Sequence, residues 1–208
     1  MSYNYSDLQL LIADDLDRII SGLPGSDVVD QIRREIKRAI SHYSAYRFGF
    51  NETTRNIQTV TGQTYLSSSL SDVIALDDLY ITIGSRDVKM TEQPLDQIIE
   101  ERPSSNGTPY EYAWFNNRIE LEVPPSTTFS LTAYIHYELP ELSSDTDQNG
   151  WTNEGQDLIR HRAEKILYAN VLKDPQKAIS SAALEKDSLN ALRAKNNRRT
   201  GGKRTCYL

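Results

Sequence analysis

The chain has one cysteine, Cys206, among 208 residues. A lone thiol makes no intrachain disulfide, which excludes a secreted scaffold stapled by bridges and is compatible with assembly in a cytosol. Long apolar runs are also lacking. No stretch reaches the roughly 18 apolar residues that span a bilayer, so a soluble protein with no membrane partner is expected. Residues 1–7 hold no basic segment followed by an apolar one, so they do not read as a secretory leader. Phosphate-cradling glycine loops, the Gly-x-Ser-x-Gly elbow of hydrolases and Cys/His zinc spacing are all absent from the sequence. No cofactor, catalytic residue or metal ligand is therefore assigned.

What the chain does contain is a globular balance: 38% hydrophobic and 25% charged residues, enough to bury a core without metals. The 12 tyrosines outnumber 4 phenylalanines and 2 tryptophans. Tyrosine joins an apolar body to a polar tip, which suits partly wet interfaces and solvated β surfaces equally. Net charge is −6, but unevenly spread. From Arg193 onward there are six basic residues (Arg193, Lys195, Arg198, Arg199, Lys203, Arg204) and no acidic one. The preceding body then carries 17 basic against 29 acidic residues. It should repel nucleic acid, while the tail should seek an acidic surface.

Periodicity divides the chain into four parts. Residues 1–47 read as two helices. Ser6 and Gln9 suggest a capping box before Leu8, Leu11, Ile12, Leu16, Ile19 and Ile20, Gly22 to Gly25 a stop, and Ser26 or Asp27 a cap. Residues 48–142 read as a β-rich insertion. Within it lie a strand–turn–strand at 59–65, strands at 73–76 and 79–83, and a short helix at 94–101. A hairpin follows at 110–123 around Asn116-Asn117, and an alternating strand at 129–137. Residues 143–194 read as two more helices, the second opened by Asp174-Pro175. Residues 195–208 form a basic, aperiodic tail, expected to be flexible when alone. The fold class is α+β: a helical-bundle platform with an inserted antiparallel β domain.

Four places in the sequence could carry chemistry. Asp145-x-Asp147-x-Asn149-Gly150 matches half of a calcium loop, but Gln156 at the twelfth position cannot supply the bidentate carboxylate, so Asx turns are the simpler reading. His161 and Glu164 stand at a metal-compatible i, i+3 spacing, yet a solvated helix face explains them. Glu111, Glu120, Glu122 and Glu138 lie on predicted strands, where a pair could serve glycoside hydrolysis; that chemistry is defined in space, not in sequence. The tail could contact DNA, but no aromatics interleave its charges except Tyr207.

Several stretches resemble the head-to-tail adaptor, or head-completion, proteins of short-tailed bacteriophages. They are Ile36-Lys37-Arg38-Ala39-Ile40 leading to Arg47-Phe48-Gly49-Phe50-Asn51-Glu52, then Thr59-Val60-Thr61-Gly62-Gln63-Thr64-Tyr65 and Gly107-Thr108-Pro109-Tyr110. Tyr137 to Asp147 with Asn149-Gly150-Trp151, and Asp157-Leu158-Ile159-Arg160, complete the set. The resemblance covers about residues 27 to 192. It implies a non-enzymatic virion protein, assembled in the host cytoplasm, that forms a twelve-fold ring. The ring would dock under the portal protein and join a downstream tail or nozzle protein. DNA would pass through its channel without specific binding. The tail, with Arg193, Lys195, Arg198, Arg199, Lys203, Arg204, Tyr207 and Leu208, would be the portal contact. The alternatives are a virion-associated cell-wall-degrading enzyme and a nucleic-acid-binding protein acting through the tail.

Overall fold

In a computed structural model, residues 3–20, 25–67 and 70–199 are described, with the side chains of all but 17–20, 25–27 and 198–199. The protein is mixed α+β, with six helices and two four-stranded sheets among the described residues. It divides into two compact units, Met1–Phe50 with Leu139–Leu208, and Asn51–Glu138.

The first unit is helical. Helix α1 spans Tyr5–Ile20 and α2 spans Gly25–Tyr43. The start of α1 differs from expectation. Asn4 Oδ1 accepts from Asp7 N at 2.8 Å, and Asp7 Oδ2 accepts from Asn4 N at 2.9 Å. The reciprocal cap is therefore Asn4/Asp7, two residues before the expected Ser6/Gln9 pair, because Gln9 is turned inward to Arg33 and Asp145. The stop at Gly22 and Pro24 and the Ser26/Asp27 cap lie outside the described residues or side chains.

Helices α4 (Gly150–Asn153), α5 (Gln156–Asn170) and α6 (Pro175–Arg199) complete the unit. The sequence reading missed α4, whose single turn is too short for periodicity. A capping box from Asn149 and Thr152 holds it. Gly150 has no side chain because Phe50 occupies its place: a Cβ there would lie 2.7 Å from Phe50 Cγ. The core joins Leu8, Ile12 and Leu16 of α1, Ile32, Ile36 and Ala39 of α2, Trp151 of α4, and Leu158, Ile159, Ala163 and Leu167 of α5. Phe48 and Leu142 also lie in this core. That is why the helical unit extends to Phe50 and resumes at Leu139, inside the 48–142 limits expected for the insertion.

The second unit is a pair of sheets around one apolar core. One sheet has the order β1 (Glu52–Gln58), β8 (Ser130–Tyr137), β3 (Val73–Ile83), β4 (Arg86–Lys89), and all its pairs are antiparallel. The other has the order β2 (Tyr65–Leu66), β7 (Arg118–Leu121), β6 (Glu111–Phe115), β5 (Thr91–Glu92), with β5–β6 parallel. Leu131, Ala133 and Ile135 alternate inward along β8, as the sequence predicts. Asn116 and Asn117 adopt φ of 49° and 57° in the β6–β7 hairpin, the left-handed pair that a two-residue turn requires. The two strands expected around Asp77-Asp78 are one strand, β3, kept continuous by irregularities between Val73 and Ala75 and between Leu76 and Asp78. Helix α3 (Leu95–Glu100) packs on β6 and β7.

Candidate functional site

The basic C-terminal stretch is the only site assigned from sequence, and most of its first half is helix. Helix α6 runs to Arg199, five residues past the expected end at Ala194. The end was misplaced because apolar periodicity stops at Leu192, whereas polar contacts continue to hold the backbone helical. Asn196 is buried, and Lys195 Nζ meets Glu154 at 2.8 Å. The Arg193 guanidinium lies 5.9 Å from the Tyr46 ring centre. Arg193 and Lys195 are thus already engaged within their own unit. Arg198 and Arg199 belong to the last turn of α6, with undescribed side chains, while Lys203, Arg204, Tyr207 and Leu208 lie outside the described residues.

Helix α6 is fastened to α5 and α2 by charge. Glu185, 6% exposed, accepts from Tyr43 Oη at 2.6 Å and from Arg162 Nη1 at 2.7 Å, and Lys165 Nζ closes on its other oxygen. Burial works to raise the Glu185 carboxyl, but hydrogen bonds from Lys165, Tyr43 and Arg162 overcome it and hold the group below its ordinary value. The Tyr43 hydroxyl is pushed up, first by burial and then by the adjoining carboxylate. Nothing in the linear sequence marks this cluster, since Glu185 interrupts an apolar pattern that suggested a different inner face.

A second cluster ties α1 to α5. Arg160 Nε donates to Asp15 Oδ2 at 2.8 Å and to Glu164 Oε1 at 2.9 Å, and His161 Nδ1 lies 3.3 Å from Glu164 Oε2. Glu164 is 4% exposed, and burial raises its carboxyl. The i, i+3 pair His161/Glu164 therefore joins an arginine-centred network at a helix interface. Among the described residues, no group of three His, Cys, Asp or Glu side chains could hold a metal ion.

The Asp145–Gly150 loop is a latch. Asp147 Oδ2 accepts from Ser143 N at 2.8 Å and from Ser144 N at 2.7 Å, an Asx-type turn that holds its carboxyl below the ordinary value. Asp145 pairs with Arg33 at 2.9 Å. The loop's backbone carbonyls at Asp147 and Asp145 accept from Tyr5 N and Ser6 N, both at 2.9 Å. Two N–H groups at the start of α1 are thereby satisfied.

The four glutamates expected on strands separate, and only Glu111 and Glu120 lie in strands; Glu122 and Glu138 fall just past the ends of β7 and β8. Glu120 is buried between Arg102 at 2.8 Å and Arg118 at 2.9 Å. Glu111 and Glu122 line one cleft of about 350 Å³ with Gln97, Glu101 and Thr108, while Glu120 and Glu138 do not line it. Glu122 accepts from Tyr110 N at 2.8 Å and Glu111 from Gln93 at 3.2 Å. His42, His136 and His161 are not among the cleft's lining residues.

The ion clusters and the latched loop hold the helices of one unit together. A family model for the SU10 adaptor protein matches residues 3–205. The chain belongs to this SU10 adaptor family, a family of phage head-tail adaptors, and its role is that of a structural phage adaptor. No curated protein matches it. No described helix is long and apolar enough to cross a membrane.

Proposed function

We propose that this chain forms a ring, twelve-fold as the head-to-tail adaptor resemblance implies, that docks beneath the portal of a phage head, meets a tail or nozzle protein below and extends the DNA channel. The family match over nearly the whole chain carries the reading. The charge distribution supports it. A body with 17 basic against 29 acidic residues repels the phosphate backbone, so DNA slides through without being held. The helical platform supplies the ring. The portal contact is the basic end, where Arg198, Arg199, Lys203 and Arg204, with Tyr207 and Leu208, carry the binding. Arg193 and Lys195 brace the root of that end against Tyr46 and Glu154. The insertion of residues 51–138 faces outward or toward tail components. The virion is the site of action, with assembly in the host cytoplasm.

Electron microscopy of the purified chain, with and without its portal, tests this. A ring bound to the portal is the expected result. A chain that ignores the portal, or one that releases soluble cell-wall fragments dependent on a single Glu or Asp, sinks it. Removing residues 200–208 should weaken portal capture while leaving helicity intact.

A further inference from the structure

We draw no further inference here: the strongest candidate, the cleft of the second unit walled by Glu101, Glu111 and Glu122 beside α3, is a cluster of carboxylates that already accept from Gln97, Gln93 and Tyr110 N, and nothing in the structure shows what would fill it.

Discussion

The centre of the helical unit and the seam beneath α6 are built from different materials. Between α1, α2 and α5 the buried surface is Leu, Ile and Ala, closed at one end by Trp151, which meets Phe48 and Phe50 edge-on at 5.7 and 4.9 Å. Under α6 the fully buried groups are Ser181, Glu185 and Asn196, beside the partly buried Ala178, Leu189 and Leu192. Apolar contacts are non-directional and tolerate pH, whereas buried ion clusters depend on every partner being present and charged. The polar part of the α6 seam therefore fixes one position and register of the helix, while Ala178, Leu189 and Leu192 pack on the core and Ile179 and Leu184 stay exposed.

The strongest test of the apolar side is Trp151→Ala. Removing a fully buried indole should lower stability by about 4 kcal/mol in urea unfolding. A loss near 1 kcal/mol would show that the aromatic cluster collapses to fill the space. On the polar side, Glu185→Ala leaves Arg162 and Lys165 without their acceptor. Because those side chains keep some solvent access, the expected loss is about 2–3 kcal/mol. A neutral outcome would mean that α6 is held by its aliphatic contacts after all.

The two clusters also differ in the sign of their pH dependence. The Glu185 carboxyl is lowered in the folded chain, so its stabilisation is complete above the unfolded carboxyl value and fades as pH falls through the depressed one. The Glu164 carboxyl is raised, so its contribution is present in acid and is lost as pH rises through the elevated value. Stability measured from about pH 3 to pH 7 should show the deficit of Glu185→Gln shrinking toward acid. Over the same range, Glu164→Gln should gain on wild type toward neutrality. Parallel curves for both variants would erase the distinction. The smallest effect belongs to the start of α6. Asp174 Oδ1 caps Lys177 N at 3.0 Å, and Asp174→Ala should cost about 1 kcal/mol in thermal unfolding.

These regions were not equally readable in the sequence. Residues of the apolar centre stand at helical spacing, so Leu8, Ile12, Ile32, Ile36, Leu158 and Leu167 are recognisable as core from their order alone. In α6 the same rule holds for Ala178, Leu189 and Leu192, which pack on the core, but misleads for Ile179 and Leu184, which are exposed. The error is physical. Periodicity assigns apolar residues inward because water is assumed to cover every other face, an assumption that fails when the buried side of a helix is closed by charge. The basic residues of the C-terminal stretch show the same limit. Their charge is visible in the sequence, but whether Arg193 and Lys195 are free depends on Tyr46 and Glu154, far away along the chain.

The sequence by itself determined the alternation of helical and β-rich segments, the inward residues of β8, the Asn116-Asn117 turn and the Asp174 cap. Each follows from local backbone preference or from a fixed repeat along one element, and none of them needs a distant partner. Tertiary structure alone decided that β3 is one strand, that Glu185 and Glu164 are buried, that Glu120 sits between two arginines, and that α6 leaves Ile179 and Leu184 exposed. Those outcomes rest on pairings between residues well separated in the chain, whose desolvation is favourable only once their partners have been folded into place.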